Sequence, residues 1–166
     1  MTPEIFSKVQ AIKEIATVCT LSNKADIVFE EGKFNKQGEP TEAALKVAAE
    51  KLGQYDKAFS KPDYTKEPSA YANFLKKSIH RIADLDFTSE RKTMSTVVRG
   101  FESNGNTLLL KGAPERVIEK SKTYKKEDGS VAEFTEVEKK KIIEQIQAFA
   151  KEGLRVLGVG LINGAG

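Results

Sequence analysis

Two apolar runs in the middle of the chain, Met94-Ser95-Thr96-Val97-Val98 and Thr107-Leu108-Leu109-Leu110-Lys111, decide the fold. Both are rich in aliphatic and β-branched residues, which are typical of strands. Between them lies Ser103-Asn104-Gly105-Asn106, and an Asn-Gly pair readily adopts the positive φ angles that tight hairpin turns require. The sequence therefore predicts an antiparallel β-hairpin at the centre of the chain.

Helices are predicted on the N-terminal side of this hairpin. Apolar residues recur at steps of three and four along residues 3 to 21, the pattern of one buried helical face. A second helix is predicted to begin around Pro40, because proline is tolerated in a first turn, and to end at Gly53. Its polar residues, including Lys46 and Glu50, are expected to face solvent.

Two further helices are predicted from spacing and capping signals. Helical spacing continues from Tyr71 through Ile82, which places the only histidine, His80, on a helix surface. The segment Thr135-Glu136-Val137-Glu138 has the form of a capping box, and Gly153 is expected to end the helix that follows it.

The remaining segments complete the predicted fold. Ala113-Pro114-Glu115 opens a short helix, residues 122 to 129 are predicted to be a solvated turn, and Leu154 to Ile162 form the last strand. This order predicts an α+β fold, an antiparallel β-sheet flanked by helices. We expect a single domain over residues 1–162 and a flexible tail over residues 163–166.

Composition and charge restrict the function classes. Hydrophobic residues make up 39% and charged residues 31% of the 166 positions, which are ordinary globular proportions. The 27 basic and 24 acidic residues leave a net charge of +3, too balanced to indicate a nucleic-acid or membrane-surface partner. No apolar run approaches the roughly 20 residues that a membrane helix needs. We expect a domain with no nucleic-acid partner and no membrane contact of its own, monomeric in isolation.

Catalytic constellations are absent from the sequence. It contains neither a Gly-x-x-x-x-Gly-Lys-Ser/Thr loop nor a Gly-x-Gly-x-x-Gly turn. His80 has no Gly-x-Ser-x-Gly partner and no neighbouring cysteine or second histidine for a metal site. Cys19 lies on the apolar face of the first predicted helix, which favours a buried structural thiol over a nucleophile. The sequence therefore offers binding groups more readily than catalytic ones.

Binding groups concentrate in the stretch Asp86-Phe87-Thr88-Ser89-Glu90-Arg91-Lys92-Thr93-Met94-Ser95 and in Lys111-Gly112-Ala113-Pro114-Glu115. An aromatic face can stack a base at roughly 1 to 3 kcal/mol, and lysines can meet phosphate charge. Gly112 would allow a ligand to approach the backbone closely. Together these residues suit a flat, phosphorylated ligand.

Each of these residues also has an ordinary structural interpretation. Phe87 taken alone is more typical of a core position, and Arg91 with Lys92 would suit a solvated edge. Glu42 lies in the first turn of a predicted helix, where the helix dipole favours a carboxylate. A non-catalytic protein-interaction module, with the Phe87 region in its core, therefore remains an alternative function.

The motifs together resemble the nucleotide-binding domain of P-type cation-transporting ATPases. Residues 87–95 are similar to the Phe-Ser-x-x-Arg-Lys-x-Met-Ser stretch of that domain, and residues 111–115 match its Lys-Gly-Ala-Pro-Glu. Residues 38–45 are similar to the Gly-x-x-Thr-Glu-x-Ala-Leu stretch of the calcium pumps in this family. Residues 16–23 also fit the start of that domain. Gly153-Leu154-Arg155-Val156-Leu157 resembles the closing Leu-Arg-x-Leu strand. The motifs occur in the same order as in that domain and cover nearly the whole chain. They are most similar to those of sarco/endoplasmic-reticulum-type calcium pumps.

The resemblance implies a role for each residue of an ATP site. Phe87 would stack on adenine and Glu42 would reach the adenine edge. Lys92 and Lys111 would line the pocket, and Arg155 would approach the phosphates. The residues that would shape the pocket are Thr41, Met94, Gly112, Ala113 and Leu157. At Ser89 these calcium pumps often carry arginine, which puts a phosphate or ribose contact there in doubt.

The resemblance also implies a division of labour within a larger pump. The chain lacks the Asp-Lys-Thr-Gly-Thr phosphorylation motif and the Thr-Gly-Glu of the actuator domain. We therefore expect one domain of a pump, partnered by its phosphorylation and actuator domains, that holds ATP, with Mg²⁺ in the parent enzyme. It would be a cytosolic domain of an integral membrane protein of the endoplasmic reticulum or another endomembrane. A sodium/potassium-type pump shares Lys-Gly-Ala-Pro-Glu and is the other pump considered.

Overall fold

The computed structural model, which describes residues 1–101 and 105–164, combines short helices with antiparallel strands. The helices in these ranges are α1 (Pro3–Lys8), α2 (Gln10–Leu21), α3 (Pro40–Gly53), α4 (Ala70–Lys76), α5 (Pro114–Lys120) and α6 (Glu136–Lys151). The strands are β1 (Asp26–Glu30), β2 (Lys33–Gln37), β3 (His80–Leu85), β4 (Thr93–Arg99), β5 (Asn106–Gly112), β6 (Thr123–Lys125), β7 (Val131–Glu133) and β8 (Gly158–Asn163).

The central sheet is antiparallel, with strand order β3-β4-β5-β8. Its middle pair is the predicted hairpin, in which Met94 lies opposite Lys111 and Val98 lies opposite Thr107. Residues 102 to 104, which include part of the predicted turn, lie outside the described residues. The sheet and its flanking helices confirm the predicted α+β class.

The core lies between this sheet and the helices α2, α3 and α4. Val98 and Leu109 of the sheet are fully buried in one cluster with Leu21 and Tyr71. Phe59, from the connection before α4, packs edge-on against the Tyr71 ring at a centroid distance of 5.1 Å. Each buried side chain of this size stabilises the fold by roughly 1.5 to 3 kcal/mol. This cluster also contains Ala49 of α3, so the helix that carries part of the predicted site is held on the common core.

The N-terminal helix is interrupted, which corrects the prediction of one helix over residues 3 to 21. Val9 leaves the helical conformation, with φ −97° and ψ 86°, and separates α1 from α2. Phe6 is buried, whereas Ile5, assigned to the apolar face, is 46% exposed. The break therefore allows Phe6 to enter the core in place of Ile5.

Helix α3 has the predicted bounds, but its buried face differs from the prediction. Lys46 and Glu50 are 3% and 6% exposed. The ammonium of Lys46 pairs with Asp26 at 3.3 Å, and the carboxylate of Glu50 accepts hydrogen bonds from the first amides of α4, those of Tyr71 and Ala72. Burial raises the pKa of Glu50, although those two amides oppose the shift. The two polar groups are inside because distant parts of the chain supply their partners.

The third predicted helix is shorter than predicted. Helix α4 ends at Lys76, and Ile82 lies in strand β3. His80 is consequently on an edge strand opposite Arg99, not on a helix surface. Strand pairing with β4 overrides a helical spacing that continues only by coincidence beyond Ile79.

The C-terminal part shows one addition and one confirmation. Residues 122 to 129, predicted to be a solvated turn, contribute β6 to a two-stranded ribbon with β7. Helix α6 forms and is followed by Gly153, whose φ of +76° suits a helix stop. The hydroxyl of Thr135 donates to the carboxylate of Glu138 instead of capping a backbone amide. No residue of α6 is fully buried.

The last strand begins at Gly158, four residues later than predicted, and ends at Asn163. Asn163, assigned to the tail from the sequence, accepts a hydrogen bond from the Thr107 hydroxyl at 3.1 Å. Residues 165 and 166 of the predicted tail lie outside the described residues.

Candidate functional site

Several of the predicted site residues fall into two groups at one end of β4, and others, such as Glu42 and Arg155, come from elsewhere in the chain. We call residues 86–92, between β3 and β4, the loop side. We call Met94, Lys111 and Gly112, which lie on the paired strands β4 and β5, the strand side. Because Met94 is the second residue of β4 and lies opposite Lys111, the strand side is adjacent in sequence and register to the end of the loop.

The loop side presents an exposed aromatic ring. Phe87 is 59% exposed, which argues against the interpretation of this residue as core. The amide of Lys92 donates to the carbonyl of Thr88 at 2.7 Å, closing a turn, and Lys92 itself has φ +54°. Ser89 and Lys92 are exposed. The loop therefore holds a large apolar ring and a basic residue at the surface.

The strand side is buried and regular. Met94 is 3% and Lys111 is 6% exposed. A Cβ added to Gly112 would lie 2.3 Å from the carbonyl oxygen of Lys92 and 2.7 Å from the Cα of Thr93. That carbonyl also accepts a hydrogen bond from Ala113 at 2.9 Å. Close packing of β5 on the start of β4 thus requires glycine at this position, independently of any ligand.

An ion pair joins the strand side to helix α3. The Nζ of Lys111 lies 2.6 Å from the Oε1 of Glu42, and the two side chains are 8% and 20% exposed. The Oε2 of Glu42 accepts a hydrogen bond from the amide of Lys24 at 3.1 Å. Glu42 is in the first turn of α3, as the helix-start interpretation expects, but its carboxylate contacts groups far along the chain.

The segment between α2 and β1 positions Glu42, and the sequence reasoning did not identify it as part of the site. The side-chain amide of Asn23 donates to the carbonyls of Cys19 and Glu42 at 2.8 and 2.7 Å. The Nζ of Lys24 lies 2.5 Å from the carboxylate of Asp86, next to Phe87. An asparagine directly after a helix end was the available signal, since such a side chain often bonds nearby backbone.

Arg155 contacts Thr41 at the start of α3. The Nη1 of Arg155 donates to the hydroxyl of Thr41 at 3.2 Å, and Thr41 directly precedes Glu42. Arg155 is exposed and Leu157 is half-buried just before β8. Gly112 is paired with Gly158, the first residue of β8, so this segment approaches the strand side. The structure brings together Thr41, Glu42, Lys111 and Arg155: Arg155 bonds Thr41, Thr41 precedes Glu42 in the chain, and Glu42 pairs with Lys111.

The charge of Lys111 also acts on Cys19. Burial raises the pKa of the Cys19 thiol to about 11, and the nearby Lys111 ammonium opposes that shift. The thiol is 4% exposed and stays protonated at neutral pH. A protonated, buried thiol is a poor nucleophile, in agreement with the predicted structural role.

The domain has a separate surface groove that is distinct from the predicted nucleotide site. It has a volume of about 620 Å³ and lies between α5 and α6, with Ile118 and Ile143 among its lining residues. None of the predicted site residues lines it, and its charged residues are of both signs. Within the described ranges, no three His, Cys, Asp or Glu residues are grouped so as to hold a metal ion. No helix in those ranges is long and apolar enough to cross a membrane.

Comparison with known proteins identifies the family of the chain. A family model of the P-type ATPase cytoplasmic domain N matches residues 11–163. The chain is 34% identical over 158 residues to "Calcium-transporting ATPase 2, endoplasmic reticulum-type" of Arabidopsis thaliana, which covers 89% of this chain and 15% of that protein. It is 33% identical over 163 residues to "Calcium-transporting ATPase 4, endoplasmic reticulum-type" of the same plant, with 95% and 14% covered.

A fungal relative shows the same proportions. The chain is 33% identical over 148 residues to "Calcium-transporting ATPase 1" of Saccharomyces cerevisiae, with 89% of this chain and 14% of that protein covered. The chain thus spans only about 15% of the length of the first of these relatives. Since the family model matches residues 11–163 and these relatives are 33% to 34% identical over most of the chain, the chain belongs to the P-type ATPase family as a cytoplasmic domain N.

Proposed function

We propose that this domain binds ATP between the loop side and the strand side and holds it for phosphoryl transfer to an aspartate of another domain. The observation that carries the proposal is the exposure of the Phe87 ring on the loop that leads into β4, whose first residues pair with the end of β5 that bears the buried Lys111. An apolar ring that is left in solvent on a loop fastened at both ends suits a ligand with a flat face.

The polar groups of the site suit the rest of the nucleotide. The carboxylate of Glu42 can accept a hydrogen bond from the amino group on the adenine edge. Arg155 and Lys92 are exposed and can meet phosphate charge, while the buried Lys111 holds the Glu42 carboxylate in place at 2.6 Å. Positioning and charge are the main contributions that a protein makes to phosphoryl transfer.

The parent protein is proposed to be a calcium-transporting pump. The relatives named above are calcium-transporting ATPases, and this supports calcium over the sodium/potassium type. The partners would be the phosphorylation and actuator domains of the same pump, and Mg²⁺ would arrive with the phosphates. The domain would face the cytosol from the endoplasmic reticulum or another endomembrane.

Titration of ATP into ¹⁵N-labelled protein tests nucleotide binding. We expect shifts concentrated at Glu42, Phe87, Lys111 and Arg155, without rapid hydrolysis of ATP. Phe87→Ala should weaken binding about fivefold or more, because stacking on an aromatic ring is worth roughly 1 to 3 kcal/mol. Phe34→Ala is the matched control, since Phe34 is similarly exposed at 54% but lies on β2. A silent titration at millimolar ATP would favour the protein-interaction module instead.

A further inference from the structure

Arg91 connects both ends of the loop side. Its Nη2 donates to three backbone carbonyls, those of Leu85, Asp86 and Thr93, at 3.0, 3.0 and 2.9 Å. Leu85 is the last residue of β3 and Thr93 is the first of β4. One guanidinium nitrogen thus links the two strand ends from which the loop carrying Phe87 departs.

The guanidinium points into the loop rather than out of it. Arg91 is half-buried, and its Nε is fully buried with no hydrogen-bond acceptor among the residues that the structure describes. Leaving a buried donor without a partner is unfavourable. It persists here because the three carbonyl contacts hold the side chain in place. Those contacts also engage the charge of Arg91 with backbone, which argues against a primary role in contacting phosphate.

The backbone around Arg91 completes the turn. The amide of Arg91 donates to the hydroxyl of Thr88 at 3.1 Å, in addition to the Lys92–Thr88 backbone bond. Lys92 has a left-handed φ of +54°, which is unfavourable for a residue with a side chain. A strained residue of this kind persists only where its surroundings determine the conformation, and Arg91 is the adjacent group that does so.

We propose that Arg91 is a positioning residue of the nucleotide site, which fixes the loop side so that the Phe87 ring is ready to stack on adenine. The inference rests on the proposed function. Arginine suits this task better than lysine, because its planar guanidinium offers donors in fixed directions to several acceptors at once. A loop ordered before binding loses less conformational freedom when the nucleotide arrives.

The role is tested with three probes of different chemistry: adenosine, inorganic tripolyphosphate and ATP. Arg91→Lys and Arg91→Ala should weaken adenosine and ATP by a similar factor, about three- to tenfold, since part of the stacking contribution is lost. Tripolyphosphate affinity should not change. Arg99→Ala is the matched control, because Arg99 is at the other end of β4 and bonds Asn106. Hydrogen exchange of the amides of residues 86–92, measured without any ligand, should become about tenfold faster in both Arg91 variants.

Other outcomes overturn the inference in distinguishable ways. Loss of tripolyphosphate and ATP affinity with adenosine unchanged would mean that Arg91 contacts phosphate directly. A uniform loss for all three probes with a lowered Tm would mean a general structural role. Unchanged affinities together with unchanged hydrogen exchange would mean that Arg91 has no role in the nucleotide site. If Arg91→Ala does not fold, Arg91→Lys and its loop exchange decide. Failure of the wild type to bind any probe would instead overturn the proposed function.

Discussion

The two sides of the site are built differently. The strand side consists of buried residues whose backbone is fixed by the β4–β5 ladder, and Lys111 is neutralised by Glu42. The loop side is exposed and is fastened by hydrogen bonds from one arginine to backbone carbonyls. We infer that substitutions on the strand side change stability and binding together, whereas substitutions on the loop side change binding alone. The predictions below test this difference.

Gly112→Ala is expected to have the largest effect on stability. The new Cβ would lie 2.3 Å from the Lys92 carbonyl, so β4 and β5 must separate at the site. We expect a loss of about 3 kcal/mol or more in urea unfolding, because backbone atoms cannot move aside as a flexible side chain can. Gly160→Ala is the matched control in β8, where the nearest atom would be 3.6 Å away. Equal stability of the two variants would contradict the close packing described for β5.

Lys111→Met is expected to have an intermediate effect on stability and a specific effect on binding. It leaves the Glu42 carboxylate with the Lys24 amide but without its ammonium partner. We expect a loss of about 1 to 2 kcal/mol, and affinities for both adenosine and ATP about ten- to a hundredfold lower, because Lys111 holds the carboxylate that meets the adenine edge.

Lys125→Met is the matched control for Lys111→Met. Lys125 pairs with the buried Glu14 away from the site, so its loss should reduce stability without changing ATP affinity. Equal effects of the two variants on ATP binding would mean that Lys111 has no direct role.

Asp84→Asn tests the strand that leads into the loop, through the pH dependence of stability. Burial raises the pKa of Asp84, but hydrogen bonds from Thr96 and Arg81 outweigh it, so the pKa lies below its usual value of 3.8. A carboxyl with a lowered pKa stabilises the folded state above its usual pKa, and this contribution is lost as the pH falls through the lowered value. The variant should therefore lose less stability than the wild type between pH 5 and pH 3, by under about 1 kcal/mol. If the free energies of unfolding of the variant and the wild type, measured in urea, fall in parallel with pH, Asp84 does not contribute to the loss of stability in acid.

Phe87→Ala is expected to have the smallest effect on stability. Since the ring is 59% exposed, its removal should change the free energy of unfolding by less than about 0.5 kcal/mol while nucleotide binding weakens about fivefold or more. Thermal unfolding with a parallel titration measures both. A loss of about 3 to 5 kcal/mol, as for a buried phenylalanine, would mean that the loop side is part of the core.

Local signals in the sequence were sufficient for several elements. The Asn-Gly turn with flanking aliphatic runs predicted β4 and β5, and Pro40 with Gly53 predicted the bounds of α3. These features depend on backbone preferences within a few residues, so a single segment carries the information. The order of the family motifs likewise predicted the family, because each motif is contiguous.

Residue type alone was a poor guide to exposure near the site. Phenylalanine is typical of the core, yet Phe87 is in solvent, while Lys46 and Glu50 are buried. Whether such a side chain is buried depends on whether a distant segment packs on it or supplies a partner, as Asp26 does for Lys46.

The sequence by itself therefore determined the α+β class, the main hairpin, the family and the identity of the residues in the motifs. Only the tertiary structure decided how those residues meet. Lys111 and Glu42 are 69 positions apart and form one ion pair, and Arg91 bonds carbonyls from two different strand ends. Such contacts depend on how the sheet and helices pack around the common core, which no single segment encodes.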